Sequence, residues 1–356
     1  MKVAKFGGSS LASAEQVQKV VDIIQADPQR RFVVVSAPGK RHADDTKVTD
    51  LLLATCEGLA ASKDVRPLLT EIYARYAAIA APFQVAPELL AEIQSALQQF
   101  LTLSPNDDPH FHDKILASGE DNNARLIAGI LQASGLAARY LNPEELGILV
   151  TDEPQNARIL PASYTKINAW AETEEILVIP GFFGYTEDGE ICTFSRGGSD
   201  ISGALVAAGV NATLYENFTD VDGIFSAHPG YVHHPEPIKE LTYREMRELS
   251  YAGFTVLHDE ALMPSYRAKI PVVIKNTNNP THPGTMITNQ RNNLTQPVVG
   301  VASDEGFCMI YIRKYLMNRE VGFTLRVLEI FKEFDLNYEH MPVSYTHLTL
   351  PTILRV

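Results

Sequence analysis

The residues of this chain best suited to chemistry stand near its start, in the run Lys5-Phe6-Gly7-Gly8-Ser9-Ser10, here called the first glycine turn. Two adjacent glycines let the backbone approach a ligand closely, and backbone amides at a helix start attract anions. The Lys5 ammonium group adds positive charge at the same place. These residues favour a phosphate-binding turn. A Gly-Gly pair is also typical of an ordinary strand-to-helix turn, and the run alone leaves both interpretations open.

Two common phosphate-binding motifs do not fit this turn. The P-loop, GxxxxGK[ST], places its lysine after the last glycine, whereas Lys5 precedes both glycines. The turn of dinucleotide-binding folds has the spacing GxGxxG, which this run lacks. The first glycine turn is therefore a candidate phosphate site of a different kind.

A second glycine turn, Ser195-Arg196-Gly197-Gly198-Ser199-Asp200, precedes a run of small residues at 201–208 that is typical of a buried helix. One such turn is common in α/β proteins. Two of them, with a lysine in one and an arginine and an aspartate in the other, are not. The pair indicates two anionic groups held face to face, as a phosphoryl donor and an acidic acceptor are.

The segments around the first glycine turn predict a sheet with helices packed on it. Apolar residues at helical spacing predict a helix at 11–24, and a continuous apolar run predicts a buried strand at 32–36. Another helix begins near Thr49. This alternation is typical of a doubly wound, mostly parallel sheet, whose ligands bind beyond the carboxyl ends of the strands. We therefore expect Lys5, its glycines, Ser36 and Thr49 to gather at that edge.

Later segments extend the same α/β pattern. Helices are predicted within 57–103 and at 112–133, with a break at 104–109, and strands at 175–180, 213–215 and 272–275. The run Ser118-Gly119-Glu120 suggests a kink or restart inside the second of these helices. Asp188-Gly189 predicts a tight hairpin turn leading to the second glycine turn.

Composition and charge exclude several classes of protein. The 356 residues allow about two domains, and 45% hydrophobic residues supply a core. A net charge of −13 argues against nucleic acid or an anionic membrane as the main partner. Three isolated cysteines (Cys56, Cys192 and Cys308) form no disulfide framework. With no signal peptide and no apolar run of about 20 residues, the predicted compartment is the cytoplasm.

Two segments have metal-ligand residue types without metal-ligand spacing. Residues 219–225 are acidic but lack the spacing of an EF-hand loop. His228, His233 and His234 lie among prolines, with no HExxH helix or matching cysteines. They are predicted to be loop residues, and no metal site built from protein side chains is predicted.

With both glycine turns followed by Thr219-Asp220-Val221-Asp222-Gly223, residues 1–290 resemble the catalytic domain of the aspartate kinases, in the amino acid kinase superfamily. The resemblance implies an open, mostly parallel sheet between helices. It also implies phosphorylation of the L-aspartate β-carboxylate by ATP, with Mg²⁺ carried on the ATP phosphates. The implied product, 4-phospho-L-aspartate, leads to lysine, threonine and methionine.

The resemblance also assigns roles to individual residues. It implies catalytic roles for Lys5, which bridges donor and acceptor oxygens, and for Asp200, which orients Lys5. The implied ATP contacts are Lys5, Gly7, Gly8, Ser9, Thr219, Asp220, Phe225 and Lys275. The implied aspartate contacts, taken together with Ser36, are Thr49, Glu120, Phe183, Arg196 and Ser199. Among these, Arg196 is expected to pair with a substrate carboxylate and Glu120 with its ammonium group.

The chain departs from the family pattern on the nucleotide side. Residues 252–258 contain no lysine or arginine where many members have one, and Asp259 stands where a proline is usual. No arginine lies near Gly230, and Phe225 stands where tyrosine is frequent. Lys275 is the expected substitute for one of the missing basic groups.

Residues 291–342 resemble the start of an ACT regulatory domain, a ferredoxin-like α+β fold. Strands are predicted at 298–302, 307–312 and 337–340, and a helix at 321–334. In this family a complete ACT region implies feedback by an amino acid, here lysine or threonine, and a homodimer. Residues 343–356 do not continue the pattern and are predicted to be an unrelated tail, so that strand edges of an incomplete ACT fold would stay open.

Two other functions remain as alternatives. The first alternative is a kinase of the same superfamily that phosphorylates another acid, such as glutamate. The first glycine turn and the ACT-like segment favour aspartate over this alternative. A non-catalytic amino-acid sensor would lack Lys5, Arg196 or Asp200, and all three are present.

Overall fold

A computed structural model describes residues 1–105, 107–195, 197–251, 254, 260–291, 298–303, 308–336, 338 and 341. The chain divides into two compact units, Met1–Ser303 and Asp304–Val356. Arg196, and the residues at 252–253 and 255–259 where the chain departs from the family pattern, lie outside the described residues. The predicted division at 290 and 342 stays a prediction.

The described residues of the first unit alternate strands and helices. The strands are β1 (Lys2–Phe6), β2 (Arg30–Val35), β3 (Ala138–Tyr140), β4 (Ile176–Pro180), β5 (Phe183–Tyr185), β6 (Ile191–Thr193), β7 (Leu214–Thr219), β8 (Ile224–Phe225), β9 (Pro237–Ile238), β10 (Glu240–Thr242), β11 (Val272–Asn276) and β12 (Thr285–Thr288). The helices are α1 (Ala14–Gln25), α2 (Val48–Ala60), α3 (Arg66–Ala80), α4 (Pro87–Gln99), α5 (Phe111–Ala133), α6 (Pro143–Leu146), α7 (Ala162–Asn168), α8 (Gly198–Gly209), α9 (Tyr243–Tyr251) and α10 (Met263–Ala268).

The main sheet has eight strands in the order β10-β12-β11-β7-β1-β2-β4-β3. All neighbouring pairs are parallel except β11 with β12. The hairpin of β5 and β6 forms at the predicted turn. The predicted α/β fold with an open, mostly parallel sheet between helices is confirmed.

Two apolar cores cover the two faces of this sheet because side chains alternate along each strand. Phe6 and Phe218 stack on the first face, with ring centroids 4.9 Å apart, beneath helices α1 to α5. Val3 and Tyr215 lie on the second face with helices α7 to α9. Lys5 shares the second face, since it stands between Ala4 and Phe6 of the first.

Local chemistry explains where two helices differ from their predictions. Helix α1 begins at Ala14 because Gly8–Leu11 forms a separate 3₁₀ turn, and Ser13 Oγ then caps α1 by accepting from Gln16 N at 3.4 Å. Helix α5 is continuous through Ser118, Gly119 and Glu120, so the predicted restart does not occur. Its apolar face packs on both sides of that run, which overrides the local preference of serine and glycine.

The second unit is described in part. Helix α11 (Phe323–Glu333) lies within the predicted helix at 321–334. Residues 308–312 form no strand, nor do 298–302 in the first unit, where strands were predicted. A strand needs a partner, and the described residues of the second unit include no strand with which 308–312 could pair. Most of 337–340 and all of 343–356 lie outside the described residues, and the ACT assignment stays a prediction.

Among the helices of the described ranges, none combines the length and the apolar character that a membrane span requires.

Candidate active site

Lys5 and Asp200 form an ion pair at the carboxyl edge of the sheet. Lys5 Nζ lies 2.6 Å from Asp200 Oδ1, and Lys5 is 7% exposed. Asp200 belongs to the first turn of α8, where the helix dipole favours a carboxylate. Asn217 of β7, in register with Lys5, donates from Nδ2 to the same oxygen at 2.8 Å. The ammonium group is therefore held at one position between β1 and α8.

The first glycine turn is packed backbone to backbone against the loop that follows β2. Gly39 N donates to Gly8 O at 2.8 Å, and a Cβ on Gly39 would lie 2.6 Å from Gly8 C. A Cβ on Gly8 would lie 2.9 Å from Ala37 O, so both positions require glycine. Gly7 has more room, 3.6 Å to its nearest neighbours. Gly39 is not among the predicted site residues; the sequence Ala37-Pro38-Gly39 after the strand is typical of a turn and is the signal that could have indicated it.

Glu120 of α5 connects this loop to the second glycine turn. The Ala37 backbone, the Lys5 ammonium group and the Ser199 side chain all favour the ionised form of its carboxyl group and lower its pKa. Burial is the largest influence and raises the pKa of Glu120 to about 8, against these contacts. Its Oε2 has no hydrogen-bond partner among the residues that the structure describes. Glu120 thus presents an acceptor oxygen beside Lys5 and Ser199.

The second glycine turn packs against the end of β4. A Cβ on Gly181 would lie 2.8 Å from Ser199 Cβ. Phe182, which follows, has a left-handed φ of 78°, and its N–H donates to Ser202 Oγ at 3.0 Å. Phe183 is buried, whereas Phe182 is half-buried. Phe182 is not among the predicted site residues. Its left-handed backbone conformation next to Ser199 and Ser202 is seen only in the structure.

The remaining predicted aspartate contacts lie at the same edge of the sheet. Ser36 follows β2, its N–H donates to Phe6 O at 3.1 Å, and its carbonyl accepts from Asn123 Nδ2 at 2.7 Å. Thr49 is the second residue of α2 and half-buried. Ser9 is half-buried in the 3₁₀ turn. Arg196 lies outside the described residues, so its place relative to Glu120 is not part of this geometry.

The predicted nucleotide contacts at 219–225 follow β7 at that edge. Thr219 Oγ1 donates to Asp220 Oδ1 at 3.1 Å, and Phe225 is half-buried in β8. Asp222, which was not predicted as a site residue, accepts from Asn276 Nδ2 at 2.9 Å and Asn279 Nδ2 at 3.2 Å. These bonds order the loop after β7 against the loop after β11.

Lys275 is not brought to this cluster. It stands in register with Phe218, and Phe218 with Phe6, whereas Lys5 is in register with Asn217. Register partners in a parallel sheet share a face, so Lys275 lies on the face opposite Lys5. Burial lowers the pKa of Lys275, and the Glu216 carboxylate of the same face opposes this shift.

A separate polar cluster surrounds the start of α5. His110, Asp152 and Cys192 offer potential metal-ligand atoms within 4.8 Å of one another. His110 Nε2 and Asp152 Oδ1 lie 2.7 Å apart, and Lys114 Nζ lies 2.8 Å from both Asp108 Oδ2 and Glu190 Oε2. Hydrogen bonds and ion pairs within the cluster account for most of this arrangement.

Comparison with known proteins identifies the family of this chain. The model of the amino acid kinase family matches residues 1–276. Aspartokinase 3 of Bacillus subtilis is 52% identical over 350 residues, which cover 98% of this chain and 77% of that protein. Aspartokinase 1 of Arabidopsis thaliana is 29% identical, and this chain covers 62% of its length.

Solved structures give the same result. Aspartate kinase of Clostridium acetobutylicum has a TM-score of 0.80 and 34% identity, covering 97% of this chain and 76% of that one. Escherichia coli aspartokinase III in complex with aspartate and ADP has a TM-score of 0.76 and 25% identity, with coverage of 97% and 76%. The predicted family is thereby confirmed: this chain belongs to the amino acid kinase family and, within it, to the aspartokinases.

Proposed function

We propose that this protein transfers the γ-phosphoryl group of ATP to the β-carboxylate of L-aspartate, giving 4-phospho-L-aspartate and ADP. The observation that carries this proposal is the Lys5–Asp200 pair, which lies between two glycine turns and beside Glu120. Membership of the aspartokinases supports aspartate as the acceptor over glutamate.

The first glycine turn is suited to the ATP phosphates. The N–H groups of Gly8 and Ser9 begin a 3₁₀ turn and have no acceptor within it, and Lys5 supplies a cation beside them. The close contact of Gly8 with Ala37 and Gly39 fixes the backbone of this turn against the neighbouring loop. Thr219 and Asp220 would contact the nucleotide from β7. When bound with ATP, Mg²⁺ would neutralise phosphate charge, and it would be carried by the phosphates.

The acceptor would bind between Glu120 and the second glycine turn. Oε2 of Glu120, which has no hydrogen-bond partner among the described residues, is suited to the substrate ammonium group. Ser199, whose side chain favours the ionised form of Glu120, lies at the start of α8, where backbone N–H groups favour a carboxylate. Arg196 is assigned to the substrate carboxylate from the family resemblance, because a guanidinium group matches a carboxylate in a bidentate geometry.

The reaction needs no protein base. An aspartate β-carboxylate has an ordinary pKa of about 3.9 and is ionised near neutral pH, so it attacks the γ-phosphorus directly. One carboxylate oxygen–phosphorus bond forms as the bond between phosphorus and the oxygen bridging to the β-phosphate breaks. Lys5 offsets the negative charge on the transferred group, and Asp200 keeps its ammonium in place. Positioning and charge stabilisation therefore do the catalysis.

Hydroxylamine trapping tests the proposal. The purified chain with Mg-ATP and L-aspartate should give aspartyl hydroxamate, because hydroxylamine captures an acyl phosphate. L-glutamate in place of L-aspartate should give no signal. A signal with glutamate alone would favour the glutamate-type alternative. Specific binding of an amino acid without hydroxamate from either acid would favour a non-catalytic sensor.

Regulation and assembly are further parts of the proposal. Feedback by lysine or threonine at the ACT-like segment, a homodimer built on that segment and a cytoplasmic location rest on the family resemblance.

A further inference from the structure

Arg75 is a buried cation in a helix that otherwise packs through apolar side chains. It lies on α3 beside Ile72, Tyr76 and Ile79, and it is 3% exposed. Burying a guanidinium group costs several kcal/mol unless its donors are paired, and an apolar residue in its place is often as stable. Its presence is therefore not explained by packing of α3 alone.

In the part of the chain that the structure describes, Arg75 has three acceptors, and all of them belong to residues 39–47 of the loop that joins β2 to α2. Arg75 Nη1 donates to Gly39 O at 2.9 Å. Arg75 Nη2 donates to Asp45 Oδ1 at 2.9 Å and to Thr46 O at 3.1 Å. A planar guanidinium group can serve acceptors in two directions at once, which a lysine ammonium group at the same position cannot reproduce.

Asp45 completes the anchor of this loop. It is 8% exposed, and besides Arg75 it accepts from Arg41 N and Nε, both at 2.9 Å, and from Arg41 Nη2 at 2.8 Å. Hydrogen bonding from Arg41 holds the pKa of Asp45 well below its usual value. Residues 40–44 are exposed, so the loop is fixed to the protein interior through Asp45 and Arg75.

Gly39, whose carbonyl oxygen accepts from Arg75, packs against the first glycine turn. Gly39 O accepts from Arg75, while Gly39 N donates to Gly8 O at 2.8 Å. The same loop ends at α2, whose second residue is Thr49. A displacement of this loop therefore moves both Gly39, which packs against Gly8, and Thr49, a predicted aspartate contact.

We propose that Arg75 is a positioning residue for phosphoryl transfer: it fixes Gly39 against Gly8 and so sets the geometry of the first glycine turn. This inference rests on the proposed function, since it concerns how that site is held. Arg75 touches neither substrate. Its effect passes through the backbone of the 39–47 loop, and misplacement of a bound reactant by about 1 Å can cost about a hundredfold in rate.

The test compares Arg75→Lys with Arg66→Lys, a control in the same helix whose arginine is largely exposed and pairs with Asp64. We expect kcat/KM for ATP to fall by about tenfold or more in Arg75→Lys and to stay within about twofold of the parent in Arg66→Lys. ADP affinity, measured by equilibrium titration, should weaken in Arg75→Lys as well.

Two results separate positioning from stability alone. If Arg75→Lys lowers the thermal midpoint but the folded enzyme keeps the parent kcat, KM and ADP affinity, Arg75 is structural and the inference is wrong. Arg75→Ala adds a second readout: millimolar guanidinium ion should restore part of its lost activity and leave the activity of Arg66→Ala unchanged. Absence of rescue in a folded Arg75→Ala protein also contradicts the inference.

The same experiment distinguishes failure of the proposed function. A parent protein that forms no hydroxamate from aspartate contradicts the kinase proposal, whatever Arg75 does to ADP affinity. A parent protein that is active, with Arg75→Lys indistinguishable from Arg66→Lys, contradicts the Arg75 inference alone.

Discussion

Lys5 Nζ and Asp200 Oδ1 lie 2.6 Å apart, although one residue lies near the end of the first strand and the other in the first turn of a helix in the second half of the chain. The pair joins the two glycine turns into one site. Asn217 adds a hydrogen bond to the same Asp200 oxygen, which fixes the carboxylate toward the lysine. The site therefore depends on three elements, β1, β7 and α8, meeting at the carboxyl edge of the sheet.

Replacing Lys5 tests the centre of this arrangement. Lys5→Met should lower kcat by about a hundredfold or more, because it removes a preorganised cation from the transferring group. Lys63→Met, at an exposed position after α2, is the matched control and should leave kcat near the parent value. Steady-state kinetics and circular dichroism of both variants check the expectation. A Lys5→Met enzyme within about tenfold of the parent would remove Lys5 from the mechanism.

The two glycines of the first turn should respond differently to alanine. Gly8→Ala places a Cβ 2.9 Å from Ala37 O and close to the backbone of Gly39. Because the loop backbone must shift to make room, we expect a lower melting temperature and weaker ADP binding. Gly7→Ala meets its nearest atoms only at 3.6 Å, an ordinary contact, and should keep the melting temperature. Thermal unfolding with and without ADP measures both effects. Equal losses of stability in the two variants would contradict the backbone contact.

Glu120 predicts a pH dependence of stability. Its pKa is raised from 4.5 to about 8 by burial, so the folded protein binds this proton more tightly than the unfolded chain does. Its contribution to the free energy of unfolding is therefore fully present below about pH 4.5 and is lost as the pH rises through about 8. Glu120→Gln stays neutral and should flatten that loss in denaturant unfolding at about pH 5 and about pH 9. Parallel losses in both proteins would assign the dependence to other groups.

The same carboxyl group predicts a pH dependence of substrate binding. An ionised Glu120 attracts the aspartate ammonium group, so KM for aspartate should fall as the pH rises toward and past about 8. In Glu120→Gln that change should disappear and KM should be high throughout. Initial rates at varied aspartate concentration across this range, with saturating ATP, give the comparison. An unchanged pH profile in Glu120→Gln would place the ammonium site elsewhere.

Lys275→Met separates the sequence prediction from the structural placement. If Lys275 lies on the sheet face opposite Lys5, as its register with Phe218 indicates, the variant should keep KM for ATP within about threefold of the parent. A large rise in that KM, with an unchanged melting temperature, would instead support the predicted role of Lys275 in ATP binding.

The features that could be predicted from the sequence are those that depend on residues close together in the chain. Alternating strands and helices predicted the α/β sheet, because apolar periodicity reports which segments bury one face or two. The two glycine turns marked the phosphate and acceptor sides, because adjacent glycines and flanking charges are contiguous in the chain. The same runs carried the family resemblance.

Which distant groups meet depends on long-range packing, which the local patterns of the sequence do not reveal. Strand register placed Lys275 on the face opposite Lys5, and a one-residue shift in register would reverse that result. Burial, which the sequence does not encode locally, raises the pKa of Glu120. In the sequence, Arg75 is one charged residue within a segment predicted to be helical, and the packing of α3 brings it to Gly39 and Asp45. Its role follows from long-range packing, which is why no local pattern revealed it.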